Sequence, residues 1–162
     1  MYIRNKRASI DVYLKIPPYS DILISVKYKT NTMLQILKNI PFFNDLGDDD
    51  LKMIAEKVQM EYFPADHIIF KEGDPGDKMY VIKRGQVQVI RDNSILALLK
   101  DNAFFGEMAL VSDEPRNATI KTVTDLEVLT LDQYDFKRLL ETNRNMASVV
   151  SYEVVKRANS IP

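Results

Sequence analysis

The sequence predicts a mainly β fold with flanking helices: an antiparallel β jelly roll with helices on its N-terminal side and lid helices on its C-terminal side. Between Met60 and Leu131 short segments of strand period follow one another, punctuated by Gly, Pro, Asn and Asp with no helix between them, as in sandwiches and jelly rolls. Apolar residues spaced three and four apart occur before and after that region. A chain of 162 residues, 46% hydrophobic and 28% charged, has room for one globular domain and a short appendage.

Residues 1–31 read as a basic, β-rich extension, with six Lys or Arg against two Asp over the first 29 positions. Ile10, Val12, Leu14 and Ile16 alternate with mostly polar neighbours, as do Ile22, Ile24, Val26 and Tyr28, and Pro17 to Asp21 breaks the two runs apart. This is a hairpin-like appendage or the edge of a neighbouring domain. A two-stranded ribbon is marginal alone, so it is expected to lie on the main domain or on a second copy.

Residues 32–162 form the domain proper. Thr32 can cap a short helix bearing Leu34, Leu37 and the following Ile40, stopped by Pro41. A second helix begins at Asp48 or Asp49, with Leu51, Ile54, Ala55 and Val58 on one face. Asp48, Asp49 and Asp50 suit the positive end of its dipole, which accounts for the acidic run without a metal. Strands are expected at 61–63, 67–70, 78–83, 86–91, 95–99, 118–122 and 127–131, with Tyr80, Val81, Ile82, Val87 and Val89 as sheet core. His67 falls in one of them as an ordinary strand residue. Asp132 caps a helix bearing Phe136, Leu139 and Leu140, Thr142 and Asn143 break it, and a last helix places Met146, Val149, Val150 and Val154 on one face.

What the chain lacks narrows its chemistry. With no Cys and a single His it has no disulfide framework, no thiol nucleophile and no ordinary metal cage, so no metal or cofactor is expected. A net charge of -1 draws it to neither nucleic acid nor an anionic membrane. No apolar run approaches the ~20 residues of a membrane span and no signal-peptide core is present, so a cytoplasmic location is expected.

Residues 104–119 depart from strand period: FFGEMALVSDEPRNAT. Gly106 and Ala109 are small enough for backbone N–H groups to approach a ligand, and a short helical turn would aim those donors at an anion. Arg116 can hold a phosphate through two parallel hydrogen bonds, and Glu107 can accept from a sugar hydroxyl. A small molecule carrying both groups fits.

This stretch resembles the phosphate-binding cassette of cyclic nucleotide-binding domains, the family of protein kinase A regulatory subunits, cyclic-nucleotide-gated channels and the catabolite activator protein. The family reads approximately F-G-E-x-A-L, a variable stretch, then P-R-x-A-T; here the segments are FGEMAL, VSDE and PRNATI. Upstream, EGDPGDKMYVIKRGQVQV is similar to the family's G-D-x-G-D-x-x-Y-x-I-x-x-G-x-V-x-V strand pair. Four of the five glycines, 73, 76, 85 and 106, fall where the family uses glycine. The resemblance implies that Arg116 pairs with the cyclic phosphate, that Glu107 accepts from the ribose 2′-hydroxyl, and that backbone N–H groups around Gly106, Met108, Ala109 and Ala118 complete the cradle. It also implies a C-terminal helix that closes over the base. Asn102 stands where the family usually has Gly and tolerates positive φ. Asn117 stands where cGMP-preferring members tend to have Thr and cAMP-preferring members a small residue, which leaves both ligands open with cAMP favoured.

The implied function is a non-enzymatic regulatory module that binds cAMP or cGMP and transmits occupancy through its C-terminal helices to a protein partner or a homodimer. A surface pair between Glu107 and Arg116 is the rival reading of those two residues. The alternatives are a jelly-roll interaction domain that has lost nucleotide binding, and the sensor part of a larger transcription regulator. The latter needs a helix-turn-helix beyond the last helix, so DNA binding by this chain alone is not expected. A cupin-like metalloenzyme needs several histidines, and the sequence has one.

Overall fold

The structure, a computed structural model, describes residues 24–26 and 30–159. The elements run β1 (Ile24–Val26), α1 (Thr30–Lys38), a 3-10 turn (Pro41–Phe43), α2 (Asp48–Lys57), β2 (Gln59–Phe63), β3 (Ile68–Phe70), β4 (Lys78–Arg84), β5 (Val87–Arg91), β6 (Ser94–Leu99), β7 (Phe104–Phe105), α3 (Glu107–Ser112), β8 (Thr119–Thr122), β9 (Leu126–Asp132), α4 (Gln133–Thr142) and α5 (Arg144–Asn159). All described pairings are antiparallel, in a five-stranded sheet ordered β1-β2-β9-β4-β7 and a four-stranded sheet ordered β3-β8-β5-β6. This is the mainly antiparallel β architecture with flanking helices that the strand period predicts.

Alternation along β4 and β9 separates two cores. Met79, Val81, Leu129 and Leu131 face the helices and join Met33, Leu37, Leu51, Ile54, Phe136 and Met146. Tyr80, Ile82, Leu126 and Val128 face the other way and meet Val87 and Ile120 between the sheets. Both faces of these central strands are therefore covered, which is why they read as nearly continuous apolar runs.

Several local details differ from the sequence reading. α1 begins at Thr30 rather than after Thr32, and Pro41, which follows its end, opens the 3-10 turn at that turn's first position. Phe104 and Phe105 form a short strand on β4, with Tyr80 opposite Phe105 and Val81 opposite Phe104, and each ring enters a different core. Val149 is exposed, because α5 seats on a narrow strip made by Met146 and Val150. β1 pairs with β2, Ser25 opposite Glu61. The other predicted run, Ile10 to Ile16, lies outside the described residues.

The β-to-α junction at Asp132 is fixed by its side chain, which accepts from the Asp135 backbone N–H at 2.9 Å. Asp132→Ala is expected to lower stability by about 1 kcal/mol, read as a shift in denaturation midpoint with an unchanged slope.

Candidate ligand-binding site

Gly106 turns the chain from β7 into the six-residue α3 with a φ of 82°, a left-handed conformation that favours glycine. A Cβ there would also lie 2.8 Å from Nη1 of Arg116. α3 starts on Glu107, and the chain beyond it returns through Arg116 to β8. The loop before β4 is pinned to this return by two backbone hydrogen bonds, Gly73 N–H to the Arg116 carbonyl and Arg116 N–H to the Asp74 carbonyl, both 2.8 Å. At Gly76 a Cβ would stand 2.5 Å from Cβ of Ala109, so the loop lies against α3 only because that position is bare. Gly76→Ala is expected to cost about 1 to 3 kcal/mol through overpacking, measured by thermal or denaturant unfolding.

Arg116 is 3% exposed although it carries a charge. Its Nη1 donates to the Gly106 carbonyl and its Nη2 to the Lys78 carbonyl, both at 2.7 Å. The guanidinium lies 4.2 Å from the centre of the Phe70 ring, and the Asp77 carboxylate stands 3.7 Å away at the surface. Nε has no hydrogen-bond partner among the described residues. Desolvation favours the neutral form of such a group, and the nearby Asp77 carboxylate opposes that shift only in part.

Glu107 is 1% exposed. Its Oε1 accepts from Nη1 of Arg157 on α5 at 2.7 Å, while its Oε2 has no partner among the described residues. Burial pushes this carboxyl above the usual range, with Arg157 opposing the shift. Arg157 is itself fixed by the Phe104 carbonyl at 2.9 Å, by Glu153 at 3.6 Å, and by the Phe104 ring 4.9 Å from its guanidinium carbon. The rival reading, a surface pair between Glu107 and Arg116, is overturned: both are buried, and each holds other partners.

All seven residues singled out in the sequence, Gly106, Glu107, Met108, Ala109, Arg116, Asn117 and Ala118, line one cavity of about 330 Å³. Its far wall is apolar, made by Val89, Leu96, Leu99 and Ile120, Phe70 lies against Arg116, and Glu153, Lys156 and Arg157 of α5 form its roof. The Asn117 amide nitrogen donates to the Met108 sulfur at 3.0 Å. Sequence reasoning missed Phe70, Leu96 and the role of Arg157. The only local trace of the last is Glu153 four residues before it on the same helix face. The arrangement can hold an anion against Arg116, a hydroxyl against Glu107 and an apolar ring against the far wall.

Comparison with known proteins identifies the class. The family model described as the cyclic nucleotide-binding domain matches residues 60–143, and the chain belongs to that family. It is 34% identical over 123 residues to a cyclic nucleotide-gated potassium channel of Mesorhizobium japonicum, a match covering 76% of this chain and 34% of the channel. It is 36% identical over 121 residues to the cAMP-dependent protein kinase regulatory subunit of Eremothecium gossypii, covering 74% of this chain and 26% of that protein. The chain thus matches about a third or less of these relatives' length. Among solved structures, the cAMP-bound PfPKA-R is similar with a TM-score of 0.75 and 26% identity, over 82% of this chain and 46% of that one. The PKAR CBD2 bound to Sp-2Cl-cAMPS gives 0.73 and 26%, over 82% and 89%. Among the described residues no helix is long and apolar enough to cross a membrane.

Proposed function

We propose that this chain binds a cyclic nucleotide, cAMP in preference to cGMP, in the cavity under α5, and that occupancy is passed on through α4 and α5. The observation that carries the reading is a pair of buried opposite charges, Arg116 and Glu107, lining the same cavity, each with one polar atom that has no partner among the described residues. Unsatisfied buried groups are rare in folded proteins, and a cation and a carboxylate of this kind on one cavity suit a ligand bearing a phosphate and a hydroxyl. The phosphate belongs on Arg116 and the backbone around Gly106, Met108, Ala109 and Ala118, with the ribose hydroxyl on Glu107. The base then lies on Val89, Leu96 and Leu99.

The preference for cAMP draws support from the apolar base wall and from Asn117, whose amide nitrogen is turned to the Met108 sulfur. The relatives named as cAMP-dependent kinase regulatory subunits, and the similar structures named as holding cAMP or its analogue, point the same way. The chain is read as a regulatory domain that holds its ligand without transforming it. Residues 32–162 are its working unit, residues 1–31 an appendage, and a protein partner or a second copy its readout.

Competition titration with both nucleotides tests the preference. cAMP is expected to bind about tenfold more tightly than cGMP, and Asn117→Thr to narrow that gap, since a hydroxyl can meet guanine's extra donor. Equal or tighter cGMP binding overturns the base assignment. Uptake of neither nucleotide favours the alternative of an interaction domain that has lost its ligand.

A further inference from the structure

We infer that Asp113 is a positioning residue that ties the end of α3 to α4, so that α3 and the two C-terminal helices move as one body. Asp113 follows the last residue of α3 and holds a left-handed conformation, φ 56° and ψ 32°, where glycine would sit with less strain. Its side chain gives it a reason to be there. Oδ1 accepts from the Gln133 side-chain amide at 2.8 Å and from the Lys137 ammonium at 2.5 Å. These two donors are four residues apart on α4 and share one face of it.

The opposite end of α3 carries the matching tie. Glu107, its first residue, is held by Arg157 of α5. A helix of six residues is thus gripped at each end through an acid, once by each C-terminal helix. α4 and α5 close the circuit by burying Phe136, Leu139, Met146 and Val150 in one core. A displacement of α3 therefore reaches α4 directly through Asp113, as well as through α5. The Asp113 tie is partly open to water, with side-chain exposures of 64% and 39% for Asp113 and Lys137, so salt weakens it.

Asp113→Gly is the diagnostic variant: it keeps the left-handed turn and removes the carboxylate, and the strain it also relieves is read from the same change made in the double variant. Amide hydrogen exchange of the nucleotide-free protein is compared across wild type, Asp113→Gly, the double variant Gln133→Ala with Lys137→Met, and the triple variant. Exchange across 133–138 is expected to quicken about two- to fivefold in Asp113→Gly, the scale of one exposed charged contact. The triple variant should be no faster than the double one, and high salt should bring wild type toward Asp113→Gly. Effects that simply add, with Asp113→Gly changing exchange as much in the double variant as in wild type, overturn the tie. The functional arm rests on the nucleotide-binding reading: cAMP affinity should fall about two- to fivefold in Asp113→Gly, and an unchanged affinity means that the tie does not reach the site. If wild type takes up no nucleotide, that reading fails, while the exchange measurement still decides the tie.

Discussion

Replacing Arg116 by alanine is expected to weaken cyclic nucleotide binding at least about a hundredfold while leaving the nucleotide-free protein folded. Each charge-assisted hydrogen bond contributes roughly 1.5 to 3 kcal/mol net, and a phosphate left in a closed cavity without its counter-charge is worse off than the loss of two such bonds implies. The fold depends on this side chain much less. Its guanidinium already carries an N–H without a partner among the described residues, and the two carbonyls it serves, of Gly106 and Lys78, are backbone groups. A destabilisation of at most ~2 kcal/mol is expected from the donors those carbonyls lose. Arg116→Lys should recover little affinity. One ammonium cannot serve two carbonyls and a phosphate in the planar geometry that the guanidinium spans while lying on Phe70. Calorimetric titration of the variants, with a thermal melt of each without ligand, separates the two effects.

Glu107→Gln is expected to cost about ten- to a hundredfold in affinity, since the bond it weakens is one charged contact with a hydroxyl. Its effect on stability changes with pH. Because burial raises the Glu107 pKa above its ordinary value of 4.5, the folded protein takes up a proton more readily than the unfolded chain does. Wild-type stability relative to Glu107→Gln therefore rises as pH falls through the folded-state pKa toward 4.5, and the advantage is lost as pH rises back through it. Nucleotide affinity moves the other way, because it needs the carboxylate. Paired melts and titrations from neutral pH down to about pH 5 read both slopes. A melting difference that stays flat, or that widens toward neutral pH in favour of wild type, contradicts this account of Glu107.

Much of this was legible because it is local in the chain. Strands that alternate or run apolar between turn residues could be placed to within a residue or two, and β4 and β9 announce themselves through apolar positions on both faces. β7 could not be read as a strand. Its two residues are the same and both buried, so no alternation exists to read. The seven cavity residues of residues 106–118 were legible for a similar reason, since one loop and one short helix bring them together within thirteen positions. The far wall comes from other strands, and Arg157 reaches Glu107 across fifty positions. That contact depends on how α5 crosses the barrel, which no local pattern encodes. Val149 illustrates the same gap. Helical spacing places it beside Val150, and only the docked helix shows that the strip it would need is absent.

The central claim is that Arg116 and Glu107 are buried to receive one small cyclic nucleotide. Calorimetric titration of the wild-type chain with cAMP tests it most directly. One ligand per chain with a dissociation constant in the micromolar range or tighter, about -8 kcal/mol or more, and with a loss of about a hundredfold in Arg116→Ala, is the predicted result. No binding up to about millimolar cAMP, or the same affinity in wild type and Arg116→Ala, would contradict it.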